Sequence, residues 1–133
     1  MNDEEMFRKL GITEYDIVKL REIRAREIYK LHNLLEDRNI EHEFIIEENG
    51  EYTRRMIKIH DVQDGEKFEI LSAILHYGSY GYEQGLIEIL GLLTRSEEKE
   101  SNVVGYLTAE DVFRRVKKYY RRKAREIEAN KST

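Results

Sequence analysis

The 133-residue sequence contains no cysteine and no proline. Without cysteine the chain can form no disulfide, no thiolate metal site and no thiol nucleophile, and this is typical of a cytoplasmic protein. Without proline, no helix is stopped or kinked by that residue. No apolar run approaches the roughly 18 residues of a membrane span, and the amino terminus, MNDEEMF, is acidic where a signal peptide is basic. We therefore expect a soluble cytoplasmic protein with no membrane partner.

The chain is rich in charged residues. Charged residues make up 38% of the sequence and hydrophobic residues 40%, and the hydrophobic residues recur at regular spacing, as in a folded protein. A chain of this length fits one domain that buries roughly two thirds of the surface exposed by its unfolded form. We expect residues 1–133 to form a single domain.

Acidic and basic side chains are unevenly distributed along the chain. Residues 61–111 carry 3 basic and 11 acidic side chains, whereas residues 112–133 carry 9 basic and 2 acidic ones. The basic end favours an acidic partner such as nucleic acid, and an acidic surface can itself occupy a basic groove that is meant for nucleic acid.

Helices are predicted on both sides of a β-hairpin. Gly11 ends a short first helix, and Thr13 is the predicted N-cap of a long second helix that reaches about Asp37. The segment IEHEFIIEENGEYTRRMIKIH follows, and its Asn49-Gly50 dipeptide suits a two-residue type I′ turn. The sequence thus predicts an α+β fold, with several helices packed around one antiparallel β-hairpin at about residues 40–60.

The Asn49-Gly50 turn also predicts the register of the hairpin. Glu48 then faces Glu51, and Phe44 faces Arg55. One face of the hairpin is mainly apolar and consists of Ile40, His42, Phe44, Ile46, Ile57 and Ile59. Because a lone hairpin is marginal in water, this face must be covered by a helix.

Three further helices are predicted after the hairpin. Helical spacing predicts the first at Phe68, Leu71, Ile74 and Leu75. The segment from Leu86 to Leu93 is apolar nearly all round and predicts a short buried helix. The segment RSEEKESN is predicted to be a charged loop, and Thr108 is the predicted cap of a basic last helix at about residues 109–129.

The stretch HYGSYGYEQG, from His76 to Gly85, allows two interpretations. Its glycines do not have the GxGxxG spacing, so a phosphate-binding loop is disfavoured. In one interpretation it is a tight interhelical turn, and Gly85 and Gly91 allow close approach of a neighbouring element. In the other, Tyr77, Tyr80 and Tyr82 anchor a protein partner or stack on a base.

The last helix contains FRRVKKYYRRKAR, which makes it a candidate surface for nucleic acid or for an acidic protein. The candidate residues are Arg114, Lys117, Lys118, Arg121, Arg122 and Arg125. A plain solvated face is the alternative. In the charged loop before Thr108, the interface candidates are Glu97, Glu98 and Glu100, with ordinary solubility as the alternative.

Catalytic and metal chemistry has little support in the sequence. The histidines at positions 32, 42, 60 and 76 are far apart, and no two have the spacing of metal ligands on one helical turn. His42 is predicted to be a hydrogen-bonded, partly buried side chain and not a ligand. No serine lies in a nucleophile elbow. The sequence therefore predicts a protein that is not an enzyme and has no metal and no cofactor.

The block from about Glu69 to Val116 contains ILSAILHYGSYGYEQGLIEILGLL and NVVGYLTAEDVF. In these segments the chain resembles small uncharacterised proteins encoded by phages and prophages of Gram-positive bacteria. The resemblance covers little more than a third of the chain and implies a bacterial host, with no activity or site residues to carry over. Small phage proteins often act by binding, as regulators, replication accessories or inhibitors.

These observations favour a non-enzymatic binding protein that acts by protein–protein contact, as an inhibitor or adaptor of host or defence machinery. The alternative is a regulator or replication accessory that binds nucleic acid through the last helix. A homo-oligomer held together by the long second helix is a third hypothesis.

Overall fold

A five-stranded antiparallel sheet organises the chain, and its computed structural model describes residues 5, 6, 9–11, 13, 24–49 and 52–131. The strands follow one another across the sheet in chain order. Within residues 26–49 and 52–131 the elements are α1 (Arg26–Asp37), β1 (Glu43–Asn49), β2 (Tyr52–Gln63), β3 (Glu66–Leu75), β4 (Ile87–Leu90), α2 (Arg95–Glu100), β5 (Val103–Leu107) and α3 (Ala109–Lys131). The α+β prediction is confirmed. Among the described residues, no helix has the length and apolar character that a membrane span requires.

Two of the predicted helices are strands. The residues from Phe68 to Leu75 belong to β3, and the segment from Leu86 to Leu93 contains β4. From Ile70 to Ala73, β3 is buried at every position, so the alternation of a half-buried strand is lost and the apolar run is ambiguous. A sheet therefore replaces the predicted arrangement of several helices around one hairpin.

The hairpin of β1 and β2 has the predicted faces but not the predicted register. Asn49 pairs with Tyr52 and so belongs to the strand and not to the predicted turn, and residues 50 and 51 lie outside the described residues. A shift of two residues leaves every side chain on its predicted face, because the side-chain period of a strand is two. The observed register places Glu43 opposite Lys58 and Glu47 opposite Arg54. The predicted register would have placed Glu48 opposite Glu51, and like charges in that position are unfavourable.

The hydrophobic core lies between one face of the sheet and the helices α1 and α3. The described part of the predicted second helix is α1. It contacts β2, so the predicted packing of the hairpin on that helix is confirmed for α1. The rest of that helix, before Arg24, and most of the first helix lie outside the described residues. Burial of a large aliphatic side chain contributes roughly 1.5–3 kcal/mol. The fully buried large side chains are Ile28, Leu31, Leu35, Ile57, Ile59, Leu71, Leu75, Ile87, Ile89, Val112 and Val116.

The amino terminus of α3 is fixed by two capping interactions. The hydroxyl of Thr108 accepts a hydrogen bond from the N–H of Asp111 (3.2 Å), and the Asp111 carboxylate accepts one from the N–H of Thr108 (3.1 Å). Glu27 of α1 accepts a further hydrogen bond, of 2.7 Å, from the N–H of Ala109. A carboxylate at the positive end of the helix dipole is stabilising. The predicted cap at Thr108 is confirmed, and Glu27 joins the two long helices.

The predicted loop RSEEKESN contains a short helix, α2. Thr94 and Glu97 form its capping box: the Thr94 hydroxyl accepts from the Glu97 N–H, and the Glu97 carboxylate accepts from the Thr94 N–H. The sequence signal for this helix is a threonine followed three residues later by a glutamate.

Substitution of two glycines that have the same backbone conformation tests the close approach of β4 to β3. Gly91 and Gly78 have φ values of 92° and 91°. A Cβ on Gly91 would overlap the carbonyl oxygen of Ile70, whereas a Cβ on Gly78 would meet open space. We predict that Gly78→Ala lowers the free energy of unfolding by about 1 kcal/mol, the cost of the left-handed conformation. Gly91→Ala should lower it by about 3 kcal/mol or more, because the strands must also separate.

Urea denaturation of the two variants measures this difference. Equal losses for Gly78→Ala and Gly91→Ala would show that β3 and β4 do not approach as closely as described.

Candidate functional site

Arg115 joins the middle of α3 to α2. Its guanidinium forms a two-fold ion pair with the Glu97 carboxylate, with Nη1–Oε1 and Nη2–Oε2 distances of 2.7 Å, and also donates to the carbonyl oxygen of Leu92 (3.0 Å). The hydrogen bonds from Arg115 lower the pKa of Glu97 to about 2. Glu97, an interface candidate in the sequence, is therefore engaged within the molecule, whereas Glu98 and Glu100 are exposed.

Asp61 in β2 joins the sheet to the second half of α3. Its carboxylate accepts hydrogen bonds from the Lys123 ammonium (2.5 and 2.7 Å) and from the Tyr119 hydroxyl (2.5 Å). These hydrogen bonds lower the pKa of Asp61 to about 2, and the contribution of Lys123 is the largest. Burial, together with the hydrogen bond to Asp61, raises the pKa of Tyr119 to about 12. At neutral pH the carboxylate thus stays ionised and the phenol protonated, which suits a structural contact more than proton transfer.

The outward cations of α3 define the basic face, which consists of Lys118, Arg121, Arg122 and Arg125. All four side chains are exposed, and none has an ion pair or hydrogen bond with another residue that the structure describes. The other two predicted candidates are engaged: Arg114 lies 3.4 Å from Asp111, and the Lys117 ammonium lies 4.9 Å from the centre of the Phe113 ring. The helix therefore carries two cations, Arg115 and Lys123, that are bound inside the molecule, and four exposed cations that pair with no described residue.

Two grooves flank α3, and each combines cations with a tyrosine ring. One has a volume of about 450 Å³ and the other of about 530 Å³. Tyr119 lines the first groove with Arg95, Arg115, Lys118 and Arg122. Tyr120 lines the second with Arg38, Lys117 and Arg121. Cationic grooves with aromatic walls are typical of surfaces that follow a nucleic-acid strand.

The stretch from His76 to Gly85 connects β3 to β4, so a strand and not a helix enters it. Tyr77 and Tyr80 are 55% and 58% exposed. Tyr82 is half-buried, and its ring packs edge-on against that of Tyr77 at a centroid distance of 5.9 Å. Two of the three predicted tyrosines therefore face the solvent.

A third exposed tyrosine, Tyr106 of β5, joins this surface and is 59% exposed. Its N–H donates to the carbonyl oxygen of Tyr80 (3.2 Å). A Cβ on Gly105 would overlap the Cβ of Tyr80, so a glycine at position 105 allows β5 to lie against the connection. Tyr77, Tyr80 and Tyr106, which we call the tyrosine corner, line a cleft of about 380 Å³. Sequence reasoning missed Tyr106 because it did not predict β5.

Two of the four histidines meet in space. The His32 Nδ1 lies 2.7 Å from the His42 Nε2, and the His42 Nδ1 lies 2.8 Å from the carbonyl oxygen of Ile40. His42 is therefore hydrogen-bonded, in agreement with its prediction. The carboxylate of Glu36 lies beside this pair, 3.7 Å from the His42 Nε2. The sequence spacing of the histidines gave no sign of this cluster.

Comparisons with known proteins add no functional assignment. No protein-family model, curated protein or solved structure was found to match the chain. Its function must therefore be argued from these residues.

Asp61 and Glu97 should make the stability of the protein depend on pH in acid. Their ordinary pKa values of 3.8 and 4.5 apply to the unfolded chain, and both fall to about 2 in the folded protein. A lowered carboxylate pKa stabilises the fold above the unfolded value, and this contribution is lost as the pH falls towards the folded value. We predict a loss on the order of 1–2 kcal/mol for each carboxylate between about pH 5 and about pH 2.

Urea unfolding at a series of pH values measures this loss. Asp61→Asn and Glu97→Gln should each make the dependence shallower, whereas Glu98→Gln, the same change at an exposed neighbour, should not. If Asp61→Asn and Glu97→Gln leave the pH dependence of the free energy of unfolding unchanged, Asp61 and Glu97 are not its source.

Proposed function

We propose that this chain is a non-enzymatic binding protein and that its basic face binds the phosphate backbone of nucleic acid. The observation that carries the proposal is the set of four exposed cations, which have no ion pair with a described residue. The inward cations Arg115 and Lys123 are already neutralised by carboxylates, whereas the outward ones pair with no described residue and can bind an external anion. Of the three functions that the sequence left open, this arrangement favours nucleic-acid binding.

The size of the basic face limits the kind of binding. From Lys118 to Arg125 the helix rises roughly 10 Å, so the face spans about three phosphates of one strand. Backbone contacts of this kind carry no sequence information. Three or four contacts give weak, salt-sensitive binding that is largely independent of sequence. Tyr120, at the wall of the larger groove, offers a ring to an unpaired base.

Salt dependence tests the proposal. Binding to a single-stranded oligothymidylate, measured by fluorescence anisotropy, should give a slope of log K against log salt between about −2 and about −3. Lys118→Glu combined with Arg121→Glu should abolish binding, and Arg121→Glu alone should weaken it by about tenfold and reduce the slope by about one. A duplex of the same length shows whether the strand must be unpaired.

The matched control is Arg54→Glu, which makes the same charge change. Because Ile57 and Ile59 point into the core, Arg54 lies on the opposite face of the sheet from α3. Equal weakening by Arg54→Glu and Arg121→Glu would reject the basic face as the binding surface. Equal affinity for polyglutamate would point to an acidic protein partner, and absence of binding at low salt would reject both.

A second candidate function is binding of a host or phage protein at the tyrosine corner, as an inhibitor or adaptor. Three tyrosines, each more than half exposed, line one cleft, and tyrosine is enriched among the residues that dominate binding energy. Tyr106 has a φ of 59°. This conformation is unfavourable for a bulky side chain, and such strain is often found at functional sites. The partner would place an apolar side chain in the cleft, between the rings.

A substitution at Tyr106 can separate an effect on partner binding from an effect on the stability of the fold. Tyr106→Gly should keep or raise the free energy of unfolding, because glycine adopts a positive φ without strain, yet it should weaken capture of the partner. We expect Tyr106→Gly and Tyr80→Ala each to reduce capture from a bacterial lysate about tenfold or more. The control Tyr29→Ala removes an exposed ring elsewhere. Capture that is unchanged by Tyr80→Ala and Tyr106→Gly would exclude the tyrosine corner.

A further inference from the structure

His32, Glu36 and His42 bring three metal-ligating side chains to one place. His32 and Glu36 lie one helical turn apart on α1, and His42 lies just before β1. One potential ligand atom of each residue lies within 4.8 Å of the others. The His42 side chain is 2% exposed and that of Glu36 is 62% exposed. The cluster therefore has a buried side and a side that is open to solvent.

Hydrogen bonds and ring contacts orient both imidazoles. The carbonyl oxygen of Ile40 can only accept, so the His42 Nδ1 carries a proton, and in the neutral imidazole its Nε2 presents a lone pair. This lone pair faces the Nδ1 of His32. The ring of His32 is held edge-on between those of His42 and Phe44, at centroid distances of 4.9 Å. A backbone carbonyl that fixes the second nitrogen of a histidine is the usual outer support of a metal ligand.

Two of the three separations between ligand atoms bracket that of a tetrahedral site. Ligand atoms that lie 2.0–2.1 Å from one zinc ion are separated from one another by roughly 3.3 Å. The separation of the two imidazole nitrogens is 2.7 Å, and that of the His42 Nε2 and the Glu36 Oε1 is 3.7 Å. A small rotation of the His32 ring would admit an ion, and His32 would then carry its proton on Nε2.

We propose that His32, Glu36 and His42 bind a divalent cation of the zinc class, with water in the fourth position. Two imidazoles and one carboxylate suit Zn²⁺ and its neighbours in the first transition row, whereas Mg²⁺ and Ca²⁺ prefer oxygen ligands. The ion joins α1 to the chain that enters β1, which is an edge strand of the sheet. It therefore stabilises this edge of the sheet against α1.

Calorimetric titration of the full chain, without a histidine tag, with Zn²⁺ tests the site. We expect one ion per chain, no comparable binding of Mg²⁺, and a higher unfolding temperature in the presence of Zn²⁺. Co²⁺ in place of Zn²⁺ should give the visible absorption of a tetrahedral site. Stoichiometry other than one, or no binding of Zn²⁺ below about 1 mM, would overturn the proposal.

Substitutions identify the ligands. His42→Ala should abolish binding, and circular dichroism shows whether that variant remains folded, since His42 is buried. Glu36→Gln changes an exposed side chain without disturbing the core, and it should weaken binding about tenfold or more. His76→Ala removes a histidine outside the cluster and should leave binding unchanged. Zn²⁺ binding to Glu36→Gln with the affinity of the unsubstituted chain would reject the site.

Discussion

The position of α3 on the sheet depends on carboxylates that neutralise its inward cations. Glu97 binds Arg115 and Asp61 binds Lys123, and Glu27 caps the first turn of the helix. These three carboxylates come from α2, β2 and α1, so the contacts join α3 to three other elements. Without them, two cations would be left against the body of the protein without partners, and half-buried charge is unfavourable unless it is paired. The buried side chains of α3 end at Val116, so the contact of Asp61 with Tyr119 and Lys123 determines how its second half lies.

The same contacts give a physical meaning to the charge gradient of the sequence. Part of the acidic excess of residues 61–111 is used inside the molecule, on the basic helix that follows it. What remains outside includes the four cations of the basic face, and three of them, Lys118, Arg121 and Arg122, line the two grooves. Helical spacing alone cannot make this division, because it does not show which face of the helix meets a carboxylate. In the structure, part of the basic run of the sequence forms one exposed surface of α3.

Some features were predictable because they depend on neighbours in the sequence. The cap at Thr108, the last helix and the two faces of the hairpin follow from local patterns, and the faces survive a wrong register because a shift of two residues preserves them. β3 and β4 were predicted as helices, because burial of β3 on both faces removes the alternation that identifies a strand. The tyrosine corner was recognised only in part, since Tyr106 reaches it through a strand pairing that was not foreseen.

The histidine cluster was missed for a different reason. His32 and His42 are ten residues apart, and what joins them is the reversal of the chain after α1. Asn39 has a φ of 55°, its N–H donates to the Glu36 carbonyl oxygen (3.0 Å), and the Ile40 N–H donates to that of Leu35 (3.0 Å). These are the two bonds of a Schellman motif, in which asparagine replaces the usual glycine. Its local signal, an asparagine just after the helix, predicts the end of α1 but not the ligands that the turn brings together. The sheet places β1 and β5 at opposite edges, so the cluster lies beside one edge and Tyr106 of the tyrosine corner on the other. Substitutions that test the proposed metal site can therefore be made without touching the proposed partner surface.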